Sequence, residues 1–264
     1  MDANGLCIPS FWQNANLIEN EIPINIQETA EKLNVVAKTA NIDGNEVFYR
    51  EVEPFKGLDF TTTITLLLLH GAAFSSETWE KLNTIQLLSA MGYRTVAIDL
   101  PGFGNSPNAK VEKQTFLSKV VETLNLNNPV VISPSLSGLF SLPYMLKNWP
   151  EMGGYVPVAP VGTDLLENIG VSLEGSDERL QRVPEELKNF LQPPLPNLDE
   201  FLVPTMVVYG EKDRKRNSAL LSLLPCSQAR EIPKAKHPAY LDNPPLWHKL
   251  LYNFLKQIEI AKTK

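Results

Sequence analysis

Ser135 stands where the β-branched run Pro129-Val130-Val131-Ile132-Ser133-Pro134 gives way to Leu136-Ser137-Gly138 and a helical stretch, Leu139 to Lys147. A sharp strand-to-helix turn lifts a serine hydroxyl above the end of a sheet, where it can attack an acyl carbonyl and form a covalent intermediate. Such a serine needs a base, and the chain has 3 histidines. His70 follows an apolar strand in His70-Gly71-Ala72-Ala73-Phe74, and His248 lies inside the last helical stretch between Trp247 and Lys249. His237 lies in the loop Ala235-Lys236-His237-Pro238-Ala239-Tyr240, between the last strand and the last helix. From there an imidazole can swing over the sheet, so position and elimination both select His237. The acid is expected just after the preceding strand, where Thr205-Met206-Val207-Val208-Tyr209-Gly210-Glu211-Lys212-Asp213 places Asp213 in a tight turn. An aspartate there accepts the imidazole N–H, fixes its tautomer and stabilises the imidazolium. Asp164, after the strand Tyr155–Ala159, is the rival acid, with a turn or hinge role the favoured reading.

Acyl transfer also needs two preorganised N–H donors for the developing oxyanion. Leu136, next to the serine, supplies one, and the loop His70-Gly71-Ala72 supplies the other through Ala72, with Gly71 allowing close backbone approach. His70 is read as orienting that loop without transferring protons, and His248 as a helix surface or packing residue. The serine turn departs from Gly-x-Ser-x-Gly: Ser133 and Ser137 hold the two glycine places, and Gly138 follows one residue late. Asp99-Leu100-Pro101-Gly102-Phe103-Gly104-Asn105-Ser106 makes a second sharp turn after a strand, with Gly102 and Gly104 free to take positive φ. Similar loops accompany aspartate nucleophiles in epoxide hydrolases and haloalkane dehalogenases, and a serine at position 135 points instead to acyl chemistry. Cys226 follows Pro225 in a loop with no histidine near in sequence, so a cysteine nucleophile is not expected.

The elements that must position these groups are legible as pattern. Asn34–Thr39, the turn Asn41-Ile42-Asp43-Gly44 and the alternating Glu46–Val52 predict an N-terminal β-hairpin. Strand candidates, most of them near-continuous apolar runs, follow at Ile64–Leu69, Arg94–Ile98, Val130–Ser133, Tyr155–Ala159, Thr205–Tyr209 and Ala229–Ile232. Between them lie helical stretches at Ser76–Met91, Glu112–Leu124, Leu139–Lys147, Asn217–Leu224 and Pro245–Ile260. Buried strands alternating with helices predict an α/β fold with a mostly parallel, doubly wound sheet. Residues 34–264 form that domain, and Leu165–Leu202, with an amphipathic piece at Asp177–Leu191 and Pro193-Pro194-Leu195-Pro196, reads as a cap insertion. Residues 1–33 show no sustained periodicity and read as a poorly ordered arm.

Composition excludes other classes. A 264-residue chain with 43% hydrophobic and 20% charged residues suits one large globular domain. Its net charge of -6 argues against nucleic acid, which is bound through clustered Lys and Arg. No apolar run approaches the roughly 20 residues that cross a bilayer, and no signal peptide is expected. Two cysteines, Cys7 and Cys226, suggest no disulfide framework and fit a reducing compartment, so a cytoplasmic or nucleocytoplasmic protein is expected.

Together the motifs resemble the α/β-hydrolase domain-containing protein 14 family. The resemblance rests on Leu66-Leu67-Leu68-Leu69-His70-Gly71, Phe74-Ser75-Ser76-Glu77-Thr78-Trp79, Gly92-Tyr93-Arg94, Ala97-Ile98-Asp99-Leu100-Pro101-Gly102 and the distinctive Ser133-Pro134-Ser135-Leu136-Ser137-Gly138. Val156-Pro157-Val158-Ala159-Pro160, Val208-Tyr209-Gly210 with Asp213, and His237-Pro238 with Tyr240-Leu241-Asp242 extend it. It covers about residues 46–164 and 203–256, and implies an α/β-hydrolase fold with the chain order Ser135, Asp213, His237. It also implies hydrolysis of short-chain esters without a required cofactor or metal. Protein-lysine deacetylation, with coenzyme A taking the acetyl group, and a link to a transcription initiation factor subunit are implied for the family's soluble branch, which this chain resembles, no membrane anchor being expected from its pattern. A hydrolase-fold interaction module with an occluded or unused site is the alternative, and a lyase or C–C bond hydrolase using the same three residues is a third.

Overall fold

The computed structural model describes residues 7–58, 62–162, 184, 188, 197–216 and 224–263. An eight-stranded sheet runs through it in the order β1-β2-β4-β3-β5-β6-β7-β8. The strands are β1 (Val36–Ile42), β2 (Asn45–Val52), β3 (Thr65–Leu68), β4 (Arg94–Ile98), β5 (Val130–Pro134), β6 (Gly154–Val158), β7 (Thr205–Gly210) and β8 (Ser227–Ile232). The hairpin β1–β2 is antiparallel and joins β4 antiparallel, while every pairing from β4 to β8 is parallel. Glu51 of β2, buried, accepts from Lys38 of β1 at 2.5 Å and from Arg94 of β4 at 2.6 Å, fastening the hairpin to the parallel sheet.

Side chains alternate between the two faces of a strand, and here both faces are covered. Leu66, Leu68, Ile132, Val156, Val158, Met206 and Val208 point to one side. There they pack against α4 (Thr84–Ala90) and α8 (Pro244–Lys262). Leu67, Leu69, Val96, Val131, Tyr155 and Val207 point to the other, against α5 (Lys113–Thr123) and α6 (Gly138–Asn148). This double burial explains the uninterrupted apolar runs in the sequence. The strand order reverses at β3: the chain leaves it for β4 on one side and returns to β5 on the other. Loops leaving β3 and β5 therefore diverge at the carboxyl ends of the strands and open a crevice.

Three expectations are corrected. The arm at residues 1–33 was expected to be poorly ordered, but its described part carries α1 (Pro9–Asn14) and α2 (Ile24–Ala30). Trp12 and Leu17 are fully buried, Trp12 lies 5.5 Å from the Phe254 ring, and Asn20 exchanges hydrogen bonds with Asn253. These helices are of one to two turns and attach through pairs of residues, Phe11 with Trp12 and Ile26 with Ala30, too short a pattern for a period to betray them. The cysteines, read as evidence of a reducing compartment, are joined as the disulfide Cys7–Cys226 across 219 residues of sequence, tying the arm to the start of β8. The helix expected over Ser76–Met91 is two, α3 (Glu77–Lys81) and α4, divided at Asn83 with φ of 59°. Asparagine tolerates the left-handed conformation that interrupts a helix. The Asn217–Leu224 helix, apart from Leu224, and most of the Leu165–Leu202 cap, including Asp177–Leu191 apart from Pro184 and Lys188, lie outside the described residues.

Candidate active site

At the end of β5 the chain turns through Ser135, whose φ of 51° lies in the left-handed region that non-glycine residues avoid. A short 3₁₀ turn over Ser135–Ser137 then leads into α6. Such strain persists only where the surroundings over-determine it, and here both flanking peptides are held. Ser137 Oγ donates to the Pro134 carbonyl at 2.8 Å, and the Val161 N–H donates to the Ser135 carbonyl at 2.8 Å. Gly138 explains the glycine that comes one place late: a Cβ there would collide with the Val161 carbonyl.

Asp213 follows β7 at a kink in a 3₁₀ segment, with φ of -118° and ψ of 16°. His237 comes from the loop between β8 and α7 (Ala239–Asp242). The two loops are laced together. The Lys212 N–H donates to the Ala235 carbonyl at 3.1 Å, and the Lys234 N–H donates to Glu211 at 2.7 Å. Asp242 accepts from the Lys236 N–H at 2.6 Å, closing the loop around His237. Gly210 permits this approach, because a Cβ would strike the Ala235 and Lys236 carbonyls. The result is a hydrogen-bonded line: His237 Nδ1 lies 2.5 Å from Asp213 Oδ2, and His237 Nε2 lies 2.8 Å from Ser135 Oγ. With Asp213 accepting from Nδ1–H, Nε2 is left free to accept the serine proton.

The loop after β3 closes the other side. A Cβ on Gly71 would lie 3.5 Å from Ser135 Cβ, so the glycine backbone lies against the elbow. His70 is buried, and its tautomer follows from its partners. The Leu100 N–H can only donate, so His70 Nε2 accepts it at 2.9 Å, and Nδ1–H donates to the Gly71 carbonyl at 2.9 Å. Burial holds His70 below the ordinary histidine range, against the opposing pull of the Gly71 carbonyl and Asp99. Both nitrogens are thus engaged in backbone positioning. The peptide whose carbonyl His70 grips carries the Ala72 N–H, and the peptide whose carbonyl Val161 grips carries the Leu136 N–H. Each pin fixes a plane and so the direction of its N–H.

Beside Ser135 is a cavity of about 220 Å³ bounded by Ala72, Phe74, Ser135, Val158, His237 and Tyr240, with a mainly apolar wall. A second hollow of about 540 Å³ lies beyond Leu136, against Phe103, Val111 and Phe140. Trp79 Nε1 donates to the Leu69 carbonyl at 2.8 Å and its ring lies 4.7 Å from that of Tyr240, bracing the end of β3 against the cavity wall. The Asp99 turn is equally fixed: Asp99 accepts from the Ser76 and Asn105 N–H groups, and a Cβ on Gly104 would collide with its carboxylate.

The structure thus brings Ser135, Asp213, His237, Ala72, Leu136, His70 and Gly71 to one place. His248 is elsewhere, paired with Thr84 Oγ1 at 2.9 Å. Asp164 lies outside the described residues. No group of three or more His, Cys, Asp or Glu among the described residues could hold a metal ion, and no helix among them is long and apolar enough to cross a membrane. Sequence reading missed the pin at Val161, the close approach at Gly210 and the partners of Ser133 and Ser137. For Gly210 a signal existed, a glycine ending a buried strand immediately before the turn Glu211-Lys212-Asp213.

A strained serine turn at the switch point of a doubly wound sheet accords with the α/β-hydrolase class, and the family model described as alpha/beta hydrolase fold matches residues 64–199, which makes the chain an α/β hydrolase. Within that class it belongs to the ABHD14 family. It is 36% identical to Rattus norvegicus ABHD14B over 229 residues, 83% of this chain and 95% of that protein, whose name gives it provisionally as a protein-lysine deacylase. It is 31% identical to Danio rerio ABHD14A over 238 residues, covering 86% of this chain and 78% of the relative. Among solved structures, carboxylesterase CesB from Bacillus subtilis is similar, with a TM-score of 0.60 at 18% identity, covering 88% of this chain and 97% of that one.

Proposed function

We propose that the protein is a serine hydrolase of short acyl groups, acting through Ser135, His237 and Asp213 by way of a covalent acyl-enzyme. The observation that carries this reading is the hydrogen-bonded line Asp213–His237–Ser135 opening on a small apolar cavity. His237 Nε2 takes the Ser135 proton as Oγ attacks the acyl carbonyl, and Asp213 steadies the imidazolium. The Ala72 and Leu136 N–H groups receive the oxyanion, a contribution worth about 10²–10³ in rate per donor. His237 then protonates the leaving group, and the acyl group passes to water or to a thiol. Acetyl-lysine on a protein is the proposed natural substrate class, and coenzyme A the proposed thiol acceptor. Both rest on the relatives' deacylase name and the family resemblance, as does the proposed transcription-factor partner.

The test is fluorophosphonate labelling of the wild type beside Ser135→Ala, with the labelled peptide located by mass spectrometry. Label on Ser135 in the wild type alone is expected. A folded protein that takes no label, or takes it elsewhere, returns the site to the interaction-module reading.

A further inference from the structure

The two serines that replace the elbow glycines are buried, and they belong to a longer chain of hydroxyls. Ser133 Oγ lies 2.9 Å from Ser137 Oγ and 2.6 Å from Ser141 Oγ, and Ser141 Oγ lies 2.8 Å from the Tyr155 hydroxyl. Ser137 Oγ in turn donates to the Pro134 carbonyl at 2.8 Å. Ser133 and Pro134 end β5, Ser137 is in the elbow, Ser141 on α6 and Tyr155 on β6. The chain therefore ties β5, the elbow, α6 and β6 together behind Ser135.

Proton counting gives this chain one direction. A carbonyl only accepts and each hydroxyl carries a single proton. Ser137 has committed its proton to Pro134, so Ser133 must donate to Ser137. Ser133 is then committed, so Ser141 donates to Ser133, and Tyr155 donates to Ser141. Burial raises the Tyr155 phenol above its ordinary range, so its proton stays in place throughout the neutral region. Donors aligned head to tail polarise one another in the same sense, and all of that polarisation ends on one carbonyl.

We propose that Tyr155, Ser141, Ser133 and Ser137 form a one-way hydroxyl relay that positions Ser135 by clamping the carbonyl of Pro134. That carbonyl and the Ser135 N–H share a rigid peptide plane, and Ser135 leaves this plane at the strained φ of 51°. Val161 holds the plane on the far side of Ser135. The relay is the corresponding grip on the near side, and it replaces the small-residue solution that glycine provides in the usual elbow. None of the four side chains is placed to touch substrate: all act through the direction in which Ser135 Oγ faces His237.

The proposal rests on the reading of Ser135 as nucleophile, and one series of measurements separates the two. Ser137→Ala, Ser133→Ala, Ser141→Ala and Tyr155→Phe are compared with the wild type for fluorophosphonate labelling over a range of probe concentrations, beside thermal unfolding. The maximal labelling rate should fall about tenfold in Ser137→Ala and about two- to threefold in Tyr155→Phe, graded between them, since small misplacements of a reacting group are amplified in rate. The probe concentration giving half the maximal rate should stay constant. A merely structural role would lower the unfolding temperature and leave the maximal rate of folded protein unchanged, and that result overturns the relay. If Ser137→Ala does not fold, Tyr155→Phe and Ser141→Ala decide the matter on the same criterion. Absence of label on wild-type Ser135 overturns the nucleophile reading itself and the relay with it.

Discussion

The Val161 N–H donates to the Ser135 carbonyl at 2.8 Å, so a residue beyond β6 sets the plane of the peptide that carries the Leu136 N–H. The contact is possible because α6 starts with Gly138, where a Cβ would collide with the Val161 carbonyl and press on Pro160. Gly138→Ala should therefore displace Val161 and swing the Leu136 donor. We expect a loss of about 10- to 10²-fold in Ser135 labelling, comparable to partial loss of one oxyanion donor. Labelling at the wild-type rate would show that the Leu136 donor is held by other contacts.

Asp213→Asn tests the far end of the line. An amide keeps the shape but can present its NH₂ to His237 Nδ1, which favours the tautomer with Nε2 protonated and unable to accept from Ser135. Turnover of p-nitrophenyl acetate should drop by about 10³–10⁴ with little change in unfolding temperature, by the logic of the serine protease aspartate. A loss below tenfold would revive a carboxylate elsewhere, with Asp164 the first to examine.

His70 has both ring nitrogens on backbone groups, Leu100 N–H and Gly71 C=O. His70→Ala leaves the Leu100 donor without its partner, and a buried unmet donor costs about 1–3 kcal/mol. It also frees the Gly71–Ala72 peptide on one side, although the Phe74 N–H still reaches the Gly71 carbonyl at 3.0 Å. Both a lower unfolding temperature and slower labelling are expected. Loss of stability without any loss of rate would remove His70 from the positioning of Ala72.

His248 should make stability depend on pH. Burial lowers it from 6.5 to about 4 in the folded chain. Between those values the unfolded chain binds a proton that the folded chain rejects, so stability falls as the pH is lowered through this window. Below about 4 this residue contributes no further change. Glu21, Glu31 and Lys249 line the same hollow. Unfolding temperatures from pH 7 to 4.5 should decline more steeply for the wild type than for His248→Gln. Parallel curves would count against a half-buried imidazole held neutral in the folded chain.

The Cys7–Cys226 bridge closes a loop of 219 residues between the arm and β8. Cross-links of this kind typically stabilise by about 2–4 kcal/mol, chiefly by restricting the unfolded chain. Replacing both cysteines by serine should lower the unfolding midpoint in denaturant, and added reductant should do the same to the wild type. An unmoved midpoint would mean that burial of Trp12 and Leu17 alone secures the arm.

What the sequence determined by itself is local or periodic. Five apolar runs with helical stretches between them carry most of the parallel sheet, and the turn at Asn41–Gly44 carries the hairpin, because burial on both faces and turn chemistry leave marks within ten residues. The edge strand β8 is only half-buried and mixed in composition. Ser135, Asp213 and His237 were legible as three loop residues after three strands, since each is defined by its place in its own β-α unit. Tertiary structure decided everything that depends on neighbours distant in sequence. The arm's seat on Phe254, the Cys7–Cys226 pairing and the Val161 pin join segments whose spacing follows no period. The break at Asn83 is hidden by apolar positions that continue across it. The serines at 133 and 137 read as departures from a glycine pattern until the fold placed Ser141 and Tyr155 beside them. A buried hydroxyl takes its meaning from its partner, and no linear pattern names a partner on another strand.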